Sequence, residues 1–141
     1  MSLRQAFRPI ATAAVTGHRL PSVRLFGLDV ANATVDQALD WICDRLDAGQ
    51  PTRIAFLNAH CANLAAGDAG YRQALTDVDA LLPDGSGVAM AARLHGMKLA
   101  ANLNGTDLVP ALCGRLAASG QSVFLLGAQP GVAEAAAATL Q

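Results

Sequence analysis

Short, unbroken apolar runs, each leading into a segment of helical period, constrain the fold of this chain more than any other feature. Residues 53–57 read Arg-Ile-Ala-Phe-Leu, 80–82 Ala-Leu-Leu and 122–126 Ser-Val-Phe-Leu-Leu. A strand that is apolar at consecutive positions is covered on both faces, and helices between such strands supply the cover. An earlier run, residues 23–30 (VRLFGLDV), reads as a first strand in spite of Gly27. Of the four, residues 122–126 are the best strand candidate.

Helical spacing fills the intervals. Val35, Ala38, Leu39, Ile42, Cys43 and Leu46 form one stripe, with Asn32 or Thr34 as cap and Gly49 as stop. Residues 60–66 and 69–78 read as two short helices parted by Gly67-Asp68, and a further helix covers 88–94. The segment 107–118 is capped by Thr106 and stopped by Gly120, and 132–140 is strongly helical. The expected class is α/β, a parallel sheet flanked by helices in a Rossmann-like arrangement. The last helix has no stop signal, and no strand follows it to close the strand-helix-strand unit that 122–126 begins. The sheet is therefore expected to be incomplete and the chain truncated.

With 141 residues, 52% of them hydrophobic, the chain can bury the core of one domain. Its net charge of -1 gives no basic field for a nucleic-acid backbone, so nucleic acid is not an expected partner. The charge is uneven: Arg4, Arg8, Arg19 and Arg24 precede the first acid, and residues 1–22 read as a disordered basic arm with a membrane-surface or targeting role as the alternative. Residues 23–141 are the folded domain. No stretch reaches the ~18 apolar residues that a spanning helix needs. Cys43, Cys61 and Cys113 lack CxxC spacing and read as reduced core residues, which makes the cytoplasm the default compartment.

Ligands of open parallel sheets gather at the carboxyl ends of the strands, so three loops are candidates. Leu82-Pro83-Asp84-Gly85-Ser86-Gly87 places a carboxylate on a tight turn, and Gly85 and Gly87 let a ligand approach the backbone. Asp84 is the candidate general base, and the amides of the next helix suit an anion. An ordinary Pro-Asp-Gly turn is the competing explanation. Gly127-Ala128-Gln129-Pro130-Gly131 joins a strand candidate to a helix and suits a diphosphate, although it is not GxGxxG and such punctuation is common. Asn58 begins the third, as a helix cap or a ligand contact. His60 and His95 stand isolated, without metal-ligand spacing, and Ser86 lacks the GxSxG elbow of a serine hydrolase.

The blocks Asn58, AGYRQAL (69–75), LPDGSGV (82–88), NGTDL (104–108) and FLLGAQPGVAE (124–134) follow the order and spacing of the WecG/TagA/CpsF glycosyltransferases. The resemblance covers residues 24–141. It implies inverting transfer of an N-acetylmannosamine-type hexose from a UDP-sugar to a lipid-diphosphate-linked sugar in cell-surface polysaccharide synthesis. It also implies no metal, no cofactor beyond the UDP-sugar co-substrate, and a place on the cytoplasmic face of the cell membrane. Asp84 corresponds to the base; Asn58, Gly85, Gly87, Asn102, Thr106 and Asp107 to substrate contacts; Gly127, Gln129 and Gly131 to the nucleotide region. Relatives continue for roughly another hundred residues, with a membrane-contacting basic appendage, by the same resemblance, and the chain alone is expected to show low or no activity. The chain departs from the family pattern at Phe56, where a Thr is common, and at Asn102, where an Arg is frequent. Two other classes stay open: an inactive nucleotide-sugar-binding module, and an assembly protein pairing its sheet edge with another chain, as in a homo-oligomer.

Overall fold

A computed structural model describes residues 19–140. Its elements run β1 (Ser22–Leu25), β2 (Leu28–Ala31), α1 (Val35–Asp47), β3 (Ile54–Leu57), α2 (Ala59–Gly67), α3 (Ala69–Thr76), β4 (Ala80–Pro83), α4 (Ser86–Leu94), α5 (Gly105–Ala118) and α6 (Val132–Thr139). Most of the basic arm expected over 1–22 lies outside the described residues.

β3 and β4 pair in parallel, with Ile54 opposite Ala80 and Leu57 opposite Pro83. Their alternation divides the core in two. Ala55, Leu57 and Leu81 face a cluster closed by Ala65 of α2, Leu75 of α3, and Val88 and Ala92 of α4. Ile54, Phe56, Ala80 and Leu82 face a second cluster, closed by Ala38, Leu39, Trp41 and Ile42 of α1 and Leu108 of α5. Helices thus cover both faces of a parallel pair, which is the α/β arrangement that the apolar runs imply. Each fully buried Leu or Val contributes about 1.5–3 kcal/mol by leaving water, and Leu57, Leu82, Val88 and Leu103 are all buried to this degree.

Residues 23–30 are two strands rather than the expected one. β1 and β2 form an antiparallel hairpin with Leu25 opposite Leu28. The two residues between them, Phe26 and Gly27, have φ of 54° and 74°, as a tight turn matching the strand twist requires. Glycine takes this conformation freely, whereas Phe26 does so at a cost of about 1 kcal/mol. Arg72 holds the turn: Nη1 donates to the Phe26 carbonyl and Nε to the Ala65 carbonyl, each at 3.0 Å. β2 lies against β4.

Residues 122–126, the best strand candidate of the sequence, form no strand. A strand needs a neighbour for its backbone groups. Among the described residues, the one main-chain bond made by residues 121–127 runs from the Gln121 amide to the Leu116 carbonyl. Phe124 and Leu126 are 87% and 91% exposed. The sheet is incomplete, as expected.

Candidate functional site

Parallel pairing decides where the polar strand-end residues meet. Asn58 directly follows β3 and Asp84 directly follows β4, so the register sets them side by side at the carboxyl edge of the pair. The Asp84 amide donates to the Leu57 carbonyl at 2.8 Å and extends the ladder by one rung. Adjacent strands run about 4.8 Å apart, which is the scale of the spacing between the two backbones here.

Three helices begin at this edge. α2 and α4 start against one another, because a Cβ on Gly87 would stand 3.1 Å from the Ala59 Cβ. α5 starts over β3, where a Cβ on Gly105 would lie 3.5 Å from the Phe56 ring. The loop from α4 to α5 is fastened across the same edge. Leu103 is fully buried, and its amide donates to the Pro83 carbonyl at 2.9 Å. The Ala100 amide donates to Asn32 Oδ1 at 2.7 Å, and the Gly85 amide to Asn102 Oδ1 at 2.7 Å.

The helix starts differ in their caps. Asn58 Oδ1 accepts from the Cys61 amide at 2.9 Å. Asn104 Oδ1 accepts from the Asp107 amide at 2.9 Å while its Nδ2 donates to Asp107 Oδ2 at 2.8 Å. Asn104, not the expected Thr106, is therefore the cap of α5, because only its side chain reaches the amide three residues on. The Asn-x-x-Asp spacing carried that signal. α4 begins at Ser86, two residues before the expected Val88, and its cap residue Gly85 has no side chain with which to satisfy the first-turn amides.

Asp84 is half-buried, and among the described residues its carboxylate has no hydrogen-bond or ion-pair partner. Most other aspartates are engaged: Asp29 with Arg24, Asp36 and Asp40 with Arg115, Asp79 with Arg45 and the Arg53 amide, Asp77 with Gln73. A free carboxylate at a strand end, flanked by uncapped amides, can take a proton from a bound hydroxyl while the amides meet negative charge.

The structure gathers Asn58, Asp84, Gly85, Gly87, Asn102, Thr106 and Asp107 at this edge, with His60 exposed in the first turn of α2. Gly87 is also a packing residue, since it allows α2 and α4 to approach. Gly127, Gln129 and Gly131 form a separate turn before α6, with φ of 128° at Gly127, 63° at Ala128 and 89° at Gly131. No hydrogen bond or ion pair among the described residues joins that turn to the Asp84 edge. His95 caps the far end of α4. One cavity lies at the opposite end of β4, lined by Arg19, Asp29, Asp79 and Ala80 among others. Another lies between α5 and α6, lined by Cys113, Ala117, Val123 and Leu125 among others. Among the described residues no group of three or more His, Cys, Asp and Glu side chains is placed to hold a metal ion, and no helix is long and apolar enough to cross a membrane.

No curated protein matches the sequence. The Glycosyl transferase WecG/TagA/CpsF family matches it over residues 23–141. That span contains both strand ends, the three helix starts and the α4–α5 loop that crosses them, so the chain with its unpaired Asp84 belongs to the WecG/TagA/CpsF family of glycosyltransferases.

Proposed function

We propose that this chain carries the site for inverting transfer of an N-acetylmannosamine-type hexose from a UDP-sugar to a lipid-diphosphate-linked sugar, with Asp84 as general base. The family is one of glycosyltransferases of cell-surface polysaccharide synthesis, which take a nucleotide-activated sugar and a lipid-linked acceptor. The observation that carries the reading is the placement of Asp84: a half-buried, unpartnered carboxylate at the carboxyl end of β4.

In this reading the acceptor hydroxyl oxygen attacks the anomeric carbon as its proton passes to the Asp84 carboxylate. The bond from that carbon to the UDP oxygen breaks on the opposite face, which inverts the configuration, and UDP leaves. The reading assigns no metal. Charge on the departing diphosphate falls to backbone amides, those of α4 beyond Gly85 and those of the 127–131 turn, where Gly127, Gln129 and Gly131 are the nucleotide contacts. Asn58, Thr106 and Asp107 border the sugar. The acceptor lipid places the reaction at the cytoplasmic face of the membrane, with the chain bound peripherally.

The test is transfer from UDP-N-acetylmannosamine to a lipid-diphosphate-linked N-acetylglucosamine, followed by mass spectrometry. Asp84→Asn keeps the shape of the side chain and removes the base. Transfer is expected to fall by about 10²–10⁴-fold, with UDP binding by calorimetry retained. Equal transfer by both forms overturns the assignment.

A second reading, assembly through residues 122–126, is favoured by the exposure of Phe124 and Leu126. A dimer in solution that Phe124→Asp dissolves would support it, and a monomer would end it.

A further inference from the structure

We infer that Asn102 is a positioning residue for the Asp84 turn, holding the base in place through the Gly85 amide rather than by touching substrate with its side-chain oxygen. The inference rests on the reading of Asp84 as the base.

Besides the long 3.5 Å bond from the Ala89 amide to the Gly85 carbonyl in the first turn of α4, three bonds hold the turn after β4. The Asp84 amide donates to the Leu57 carbonyl at 2.8 Å and the Leu103 amide to the Pro83 carbonyl at 2.9 Å. These two are main-chain bonds, and they fix the residues up to Asp84. Beyond it the chain reaches Gly85, at φ 92° and ψ 165°, a conformation that glycine enters and leaves with little steric hindrance. A pivot with little steric hindrance therefore adjoins the carboxylate. The third bond restrains that pivot: the Gly85 amide donates to Asn102 Oδ1 at 2.7 Å, across 17 residues of sequence. Asn102 can act as a fixed post because its own loop is anchored on both sides. Leu103 is fully buried next to it, and the Ala100 amide is bonded to Asn32 Oδ1.

The bond also determines what remains for a ligand. The Gly85 amide and Asn102 Oδ1 are occupied by each other, so the amides left at the start of α4 belong to the residues after Gly85. Asn102 is exposed, so loss of its bond should scarcely alter global stability while it frees the turn.

The test compares Asn102→Leu, which has no acceptor, with Asn102→Asp, which keeps one of the same shape. Gly85 amide exchange by NMR and transfer kinetics are measured at about pH 8, where aspartates are ionised. For Asn102→Leu, Gly85 exchange is expected to quicken at least tenfold. The kcat should fall about ten- to a hundredfold, as misplacement of a catalytic group by an ångström would cause, with KM and Tm close to wild type. Asn102→Asp is expected to restore slow exchange and most of kcat. Unchanged Gly85 exchange in Asn102→Leu, quickened exchange without loss of kcat, or equal losses in both variants would overturn the inference. Asp84→Asn is run beside them. If it abolishes transfer while both Asn102 variants stay fully active, this inference alone fails; if it leaves transfer intact, or the wild type neither transfers nor binds UDP, the reading beneath it fails.

Discussion

Gly87→Ala probes the junction on which the site depends, where the starts of α2 and α4 meet. A Cβ at Gly87 would stand 3.1 Å from the Ala59 Cβ, tighter than ordinary van der Waals contact, and both partners are fixed near helix starts where neither can rotate away. In an open helix, alanine gains at most about 1 kcal/mol over glycine. Overpacking by one carbon in a well-packed contact costs about 1–3 kcal/mol. The net expectation is a destabilisation of the order of 1 kcal/mol, or about 3–5 °C in Tm for a chain of this length. Thermal and urea unfolding followed by circular dichroism give the value. Removal of the opposing methyl is the internal control: Ala59→Gly on the Gly87→Ala background should recover most of the loss, because the coupling of contacting residues is what a double-mutant cycle isolates. The wedge also parts Asn58 from Asp84, so transfer should fall further than stability explains. A Gly87→Ala protein as stable as the wild type, or a double variant no better than the single, would refute the packing argument.

Further outcomes follow from the same geometry. Leu82→Ala empties a site 1% exposed in the cluster shared with α1 and α5 and should cost about 2–5 kcal/mol in urea unfolding. Asn58→Ala removes the α2 cap and should cost about 1 kcal/mol, while Asn58→Asp keeps it; equal stability of the two would contradict the cap. Phe26→Asn supplies the Asn-Gly pair that the hairpin turn favours and should add roughly 0.5–1 kcal/mol, read as a raised urea midpoint. Tyr71 is the single tyrosine, and its interaction with the Cys61 side chain, aided by burial, raises its pKa above the ordinary 10.0. Stability linked to its proton is therefore complete below about pH 10 and is lost as pH rises through the higher folded value. Tyrosinate absorbance should show this titration directly, and Cys61→Ala should move it back towards pH 10.

What the sequence disclosed depended on whether a signal was local. The core strands Ile54–Leu57 and Ala80–Pro83 and the stripe of α1 were legible because burial on both faces leaves apolar runs, and burial on one leaves a helical period. Asp84 was legible as a strand-end carboxylate, and its neighbour Asn58 as a cap. The hairpin was hidden because Phe-Gly is a poor sign of a turn whose conformation is enforced from a distance by Arg72. The fate of residues 122–126 was hidden because strand propensity describes side chains, while a strand exists only where another backbone pairs with it. The Asn102 bond to Gly85 spans 17 residues, and no spacing rule reaches that far. Asn104 could have been found, since a side chain three residues before Asp107 is within capping range.

The measurement closest to the central claim is amide chemical-shift mapping of the isotopically labelled chain as UDP-N-acetylmannosamine is added. The account predicts saturable shifts at residues 84–88, 58–61 and 102–107, the strand ends and helix starts that surround Asp84, together with residues 127–132. Shifts confined to other faces, such as the amino end of β4 around Arg19 and Asp79, or none at all, would contradict the assignment of this edge as the transferase site.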